Sequence, residues 1–385
     1  MPKNKRPVPR KSATPPEEKE EALSQALCSL ALELAEQEDS EEPGSSLQDK
    51  EPEFQRQIRR YLNQNKDDIL YGAIEQARYE DVGAYLLLRS AIAEAACTQQ
   101  LRRDNAPLME IDAFAVPVFV HSQGGLVQAE TFQDEAAYEA LLASFRDCGL
   151  ESPDARLVLV QHAYDAAEAE RISYGQMNAM VREAAASLTE KKMSEAPALQ
   201  RSIAGWTASS FAADDEAVEL RFLLGFSLKR ADDRFYQVPQ NDADADAWFA
   251  ARMERYREWT IKAAPLLQRC LAKAGRTLEL NFLYQDHFFS ARQQGLAERG
   301  MLATMAELGA AARAHGGPVS ASITPADTGG EMVLRVQLFG GTTLLAASDQ
   351  PFDLGDDLQL AVDDLRDALG TLGITSIEVK EPAPT

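Results

Sequence analysis

The sequence predicts an α/β protein of the α+β kind, with mixed or antiparallel sheets preceded by an N-terminal helical segment. Three observations carry this expectation. First, Ala155–Ala185 (ARLVLVQHAYDAAEAERISYGQMNAMVREAA) is echoed by Arg276–Leu308 (RTLELNFLYQDHFFSARQQGLAERGMLATMAEL). Each copy is an apolar run, a polar aromatic corner holding an aspartate, and then a helical pattern, which reads as strand, corner, helix. Second, the spacing of the echo, about 110 to 120 residues, belongs to duplicated domains rather than to a solenoid. Third, across module borders the order strand, helix, two strands, helix, strand is the ferredoxin-like order. The expected architecture is therefore a set of duplicated ferredoxin-like strand-helix modules.

The chain has 385 residues, enough for two or three domains with cores of their own. Residues 1–52 read as a disordered tail, basic and then acidic. Within it, Leu23, Leu27, Leu30 and Leu34 form one apolar stripe over Glu21–Glu36, a short amphipathic helix expected to dock on the body rather than to wait for a partner. Gln37–Pro52 reads as an acidic linker, and residues 53–105 as a helical segment ending near Leu101, with Asp67 and Asp81 near helix starts.

A first α/β module spans 106–192. Ala113–Ser122 and Leu126–Phe132 are expected strands, Glu135–Cys148 a helix, then the Leu157 strand and a helix over Gln176–Leu188. Residues 193–216 link it to a second module at 217–316, with Trp206 and Phe211 tucked against one of them. There Arg221–Arg230 and Phe235–Val238 read as strands, Asp244 to about Lys273 as a long helix, and Leu278 onwards as a strand before helices to His315. Cys148 and Cys270 close equivalent helices in the two copies. A partial third module covers 317–381: strands Val319–Thr324, Glu331–Phe339 and Thr343–Ala347, a hairpin turn at Gly340 and Gly341, a helix at Asp356–Leu369 and a last strand at Ile374–Val379.

The formal net charge is −22, and residues 17–53 carry half of it, with 13 acids against Lys19 and Lys50. A general nucleic-acid surface is not expected, because phosphate binding needs clustered Lys and Arg. Only the basic tail Lys3–Lys11 offers RNA or anionic lipid anything. No apolar run reaches the eighteen or so residues of a spanning helix, and the basic N-terminus lacks an apolar signal core, so no membrane contact and a cytoplasmic setting are expected. The four cysteines stand alone, which points to reduced, buried thiols.

Strong catalytic signatures are missing: no phosphate loop, dinucleotide fingerprint, HExxH or GxSxG is present. Neither a metal nor a cofactor is expected. Asp242, Asp244 and Asp246 resemble the start of a calcium loop, but the sixth and twelfth places hold Ala247 and Met253 rather than Gly and Glu. An acidic helix N-terminus accounts for them. No residue is assigned a catalytic role.

The two polar corners supply the candidate ligand-binding residues: Tyr284, Asp286, His287 and Arg292 in one copy, His162, Tyr164 and Asp165 in the other. Strand ends meeting helix N-termini offer free N–H groups suited to an anion, and a His beside an Asp suits a general base if both face one cleft. The competing reading is capping and packing, with Asp286 as an N-cap and Phe288 and Phe289 in the core. Arg252, Arg255 and Arg257, interleaved with Tyr256 and Trp259, form a further candidate partner surface.

Through DARLVLVQHAYDAAEAERIS, RFLLGFSLKR, RTLELNFLYQDHFFSARQQ and VLRVQLF, the chain resembles an uncharacterised bacterial family catalogued only as a domain of unknown function. The likeness spans roughly residues 55–380 as an order of elements. It implies a bacterial cytoplasmic protein and no catalytic residues. The function expected is a non-enzymatic interaction or regulatory protein, an adaptor or effector binder with a protein partner. Homo-oligomerisation stays open. The alternative is an enzyme or degenerate enzyme acting on a small anionic metabolite or nucleotide at Tyr284–Arg292, and a third reading is an RNA-associated factor acting through residues 3–11.

Overall fold

Heptad-like leucines, alternating apolar runs and turn residues resolve, in a computed structural model, into ten helices and ten strands among the described residues, which are 16–38, 47–102, 106–122, 132, 134–189, 217–271, 277–328 and 331–380. The architecture is mixed α+β, with an N-terminal helical segment followed by antiparallel and mixed sheets. The chain divides into two units, Met1–Ala95 and Ala96–Thr385. The expected strand Leu126–Phe132 (apart from Phe132), the linker with Trp206 and Phe211, and the tail Lys3–Lys11 lie outside the described residues.

The first unit is built from helices α1 (Pro16–Glu38), α2 (Leu47–Asn63), α3 (Asp67–Glu80) and α4 (Val82–Cys97). Leu27 and Leu34 of the predicted stripe are buried together with Ala31, Leu23 and Leu30 are half-buried, and α1 packs on α2 and α3. The stripe therefore docks. Ser24 Oγ adds a hydrogen bond of 3.0 Å to the Ile69 carbonyl. Asp81 caps α4, its Oδ1 accepting from Ala84 N at 2.7 Å.

Two expectations fail at the edges of this segment. The acidic linker ends earlier than Pro52, because α2 begins at Leu47: Phe54, Ile58 and Leu62 are buried, and their packing carries the helix back through Pro52 at the loss of one intrahelical bond. The helical segment also stops short of Leu101. Thr98–Leu101 is instead strand β1, antiparallel to Met109–Asp112, where ladder pairing overrides local helical preference.

The second unit is centred on β2 (Met109–Ser122) and β4 (Ala217–Arg230), which pair antiparallel along 14 residues each. Strand β3 (Arg156–Asp165) flanks β4, while β1, β6 (Asp286–His287) and β5 (Leu278–Phe282) line the other edge of β2 end to end. Strands of the two expected modules thus join a single six-stranded sheet. Helices α5 (Glu135–Asp147), α6 (Ala166–Glu170), α7 (Tyr174–Thr189), α8 (Asp242–Leu271) and α9 (Phe288–His315) cover it. Burial on both faces explains why RFLLGFSL reads as a nearly continuous apolar run rather than as an alternation. The expected strand Phe235–Val238 is a 3-10 turn at Arg234–Tyr236 instead: Asp233 Oδ1 accepts from Phe235 N at 3.0 Å, and a local cap replaces a ladder.

Helix α9 runs on from the six-stranded sheet to a second one. Its first turns bury Phe288, Phe289 and Ala291, and its last turns bury Thr304 and Leu308. Gly316, at φ 66°, closes it in the left-handed conformation. The second sheet has the order β10 (Ile377–Val379), β7 (Ser320–Thr328), β8 (Glu331–Gly340), β9 (Thr343–Pro351), with only β10 parallel to its neighbour. Its core joins Leu308, Ile323, Val336 and Leu338 to Leu365 and Leu369 of α10 (Leu358–Thr371).

Gly225 sits at the middle of β4, opposite Phe114. A Cβ there would lie 2.7 Å from Phe114 Cε1 and 2.8 Å from Leu159 Cδ2, so the close approach of three strands' side chains requires glycine. Gly225→Val is expected to destabilise the fold by about 1–3 kcal/mol through overpacking. Urea unfolding monitored by circular dichroism measures this, and an unchanged midpoint would show that the Phe114 ring yields freely.

Candidate functional site

Residues directly opposite each other on paired strands share a face, so the register places Asp112 beside Ser227 and Phe114 beside Gly225 on one face of β2 and β4. Three local devices bring other side chains to this place. The first is the end of α5. Gly149, at φ 67°, turns the chain left-handed, Leu150 N returns to the Phe145 carbonyl at 2.8 Å, and Glu151 is delivered beneath the sheet. Arg252 and Arg255 of α8 hold that turn, donating to the carbonyls of Leu150 at 3.3 Å and Gly149 at 3.2 Å.

The second device is the 3-10 turn, which inserts Tyr236. The third is a β-bulge: three residues, Leu283–Gln285, lie between β5 and β6 where β2 has only Val116 and Pro117. Leu283 N donates to the Pro117 carbonyl at 2.9 Å, so the position where Pro117 has no N–H faces the same edge. A ladder cannot continue there, and the extra residue re-aims Tyr284 and Gln285.

The outcome is a cleft of about 310 Å3. At its base Glu151, 5% exposed, accepts two hydrogen bonds on the same oxygen, Oε2: from Ser227 Oγ at 2.7 Å and from Tyr236 OH at 2.7 Å. Tyr236 OH in turn accepts from Ser152 N at 3.0 Å. Burial, and then the neighbouring Glu151 charge, push the Tyr236 phenol well above its ordinary value, so it stays a donor. Lys229 forms an ion pair with Asp112 and lies 4.3 Å above the Tyr236 ring. Arg252 donates to Tyr284 OH at 3.1 Å and packs on Trp248. Val238, Phe249 and Met253 form an exposed apolar rim.

The corner residues expected at Tyr284–Arg292 divide. Tyr284, Asp286 and His287 line the cleft. Asp286 is not the N-cap of α9: that place belongs to His287, and Asp286 Oδ1 accepts from the backbone N–H of His287 at 2.7 Å. Arg292 points elsewhere, donating to the carbonyls of Ala169 and Ile172 at 3.0 and 3.1 Å and stacking on Phe289. Phe288 and Phe289 are in the core, as the packing reading holds.

The other corner is filled. His162 is buried, 3.1 Å from Glu168 Oε2 and edge-on to Tyr164. Asp165 and Glu168 form a capping box on α6, and Arg221 lies 3.7 Å from Asp165 while also pairing with Glu219. Burial pushes the Tyr164 phenol up, with the Glu168 charge adding to it. This corner holds structure together.

Glu151, Ser227, Lys229, Tyr236 and Gln285 carry no motif and escape sequence reasoning. The one available signal was Pro117 within a strand, which marks a bulge on the neighbouring edge. Among the described residues no cluster suits a metal ion, and no helix is long and apolar enough to cross a membrane. Comparison with family models, curated proteins and solved structures finds no match.

Tyr236→Phe removes one of two hydroxyl donors from a buried carboxylate and is expected to cost about 1–3 kcal/mol in urea unfolding. Alkali tests the same burial. The phenols of Tyr138, Tyr164, Tyr236 and Tyr256 are all raised from 10.0 by burial above all. Their contribution to stability is complete below the unfolded value and is lost as pH climbs beyond it, because only the unfolded phenols ionise there. Unfolding midpoints compared at about pH 8 and about pH 11 should therefore drop, and a flat profile would contradict the buried placement.

Proposed function

We propose that this chain is a non-enzymatic interaction or regulatory protein whose effector site is the cleft at Glu151, Tyr236 and Tyr284. The observation that carries this is the convergence of two hydroxyls on one buried carboxylate beneath an exposed apolar rim. Covalent catalysis needs a nucleophile that reaches substrate. Ser227 is 3% exposed, while Tyr236 is held protonated. The Asp286 carboxylate takes a backbone N–H rather than the imidazole beside it. Hydroxyls, carboxylate and arginine are used to shape a cavity.

The enzyme reading directed at an anionic metabolite has less support, since Arg292 binds the carbonyls of Ala169 and Ile172 at the end of α6 and the carboxylates lining the cleft outnumber the cations. The duplicated ferredoxin-like organisation belongs to the same proposal. Its support is that β3 and β5, equivalent in the sequence echo, flank β4 and β2 respectively. Such modules offer sheet faces and edges to effectors and partners, an argument by analogy of fold. A protein partner and a cytoplasmic setting complete the reading.

The test is native mass spectrometry of the full-length chain after exposure to fractionated small-molecule extract. A compound retained unchanged by the wild type and lost from Phe249→Asp is the expected result. Its time-dependent conversion would overturn the non-enzymatic assignment. Equal retention by Phe249→Asp, or no retained compound, would overturn the cleft as effector site.

A further inference from the structure

We propose that the cleft takes a small organic ammonium, a primary amine attached to an aromatic or branched aliphatic group. The inference rests on the effector-binding reading and names its ligand class.

Two observations, independent of each other, point to the ligand, one asking for a hydrogen-bond donor and the other for positive charge. Gln285 is 8% exposed, lines the cleft, and its Oε1 is buried without a hydrogen-bond partner. A buried carbonyl left unpaired forfeits its desolvation, so a donor supplied by a ligand satisfies it. Glu151 is the second. Both of its hydroxyl donors fall on Oε2, so Oε1 takes neither of them. Both are also neutral, whereas a buried carboxylate is stabilised most by a countercharge.

The resident cations do not supply that countercharge. Lys229 is paired with Asp112, and Arg252 is committed to Tyr284 OH, the Leu150 carbonyl and the Trp248 ring. Asp112, Glu151 and Asp286 against Lys229 and Arg252 leave the lining one negative charge in excess. A ligand ammonium has three donors and no acceptor, enough to meet both Gln285 Oε1 and Glu151. A carboxylate or phosphate ligand would instead face the excess acid.

The rim decides the rest of the molecule. Phe249, 51% exposed, stands with Met253 and Val238 around an opening that also presents Trp248. Exposed apolar groups gathered at a polar-based cleft favour a ligand that covers them. About 310 Å3 lies at the small end of known ligand pockets, which suits a compact amine rather than a peptide segment.

The experiment is calorimetric titration of the full-length chain with three probes matched in shape: 2-phenylethylamine, 2-phenylethanol and 3-phenylpropionate. The amine is expected to bind most tightly. Glu151→Gln should cut amine affinity by about tenfold or more while leaving the alcohol nearly unchanged, because only the charged donor loses its countercharge. Should that buried substitution unfold the chain, the ranking of the three probes on the wild type still decides, and the exposed Phe249→Ser should weaken amine and alcohol alike. Tightest binding of 3-phenylpropionate, equal binding of amine and alcohol, or no binding by any of the three overturns the ammonium assignment. If an extract compound is nevertheless retained in native mass spectrometry, the effector cleft stands and only its ligand class falls; if none is retained, both fall.

Discussion

The antiparallel ladder between β2 and β4 is the constraint on which the second unit depends. Its strands are buried on both faces, so nearly every side chain along Arg221–Leu228 is enclosed on one side or the other. Such a pair leaves no room for adjustment, because interiors pack to crystal-like density. Gly225 is the visible consequence, giving up a side chain so that Phe114 and Leu159 can meet across three strands. Gly295 of α9 is a second, closing on Phe222. The ladder also positions the chemistry, for Asp112, Ser227 and Lys229 reach the cleft only because β2 and β4 run side by side to their ends.

Against that rigid pair, the edge of β2 is deliberately broken. Pro117 withholds a donor, β5 and β6 pair on either side of it, and the extra residue between them accompanies Tyr284 and Gln285 into the lining of the cleft. The buried carboxylate is tolerated because two hydroxyls and a well-formed helix end surround it. Arginines of α8 satisfy the carbonyls of that helix end, much as Arg292 satisfies those at the end of α6. Planar donors at helix C-termini thus recur as the means by which separate helices are fixed to one another.

The two corners of the sequence echo show how one pattern serves two ends. Both follow a strand with an aromatic, an aspartate and a histidine. In one, a capping box forms, the histidine finds Glu168 and the space closes. In the other, the aspartate bonds its neighbour's backbone N–H, the histidine becomes the cap position, and a cleft stays open beside it. The difference is the glutamate three residues after the aspartate, present as Glu168 and replaced by Phe289, whose ring goes into the core. Legibility ended at this point: each local pattern was readable, but whether it enclosed space depended on what packed behind it.

Periodicity determined most helices of both units, the strands Leu157, Arg221 and Leu278 begin or join, and the mixed α+β class, because burial of an apolar stripe or run is a local demand with a local signature, while the isolation of the cysteines pointed to buried thiols. Phe235–Val238 and Thr98–Leu101 were misread for the complementary reason, since a cap or a distant strand outweighed their own preferences. Tertiary structure alone decided that strands of the two copies share one sheet, that Arg292 leaves Tyr284, and that Glu151, Ser227, Tyr236 and Gln285 meet. Residues as far apart as Glu151 and Tyr236 converge because strand register sets the end of α5 beside the 3-10 turn, and register is set by long-range pairing that no stretch of sequence contains by itself.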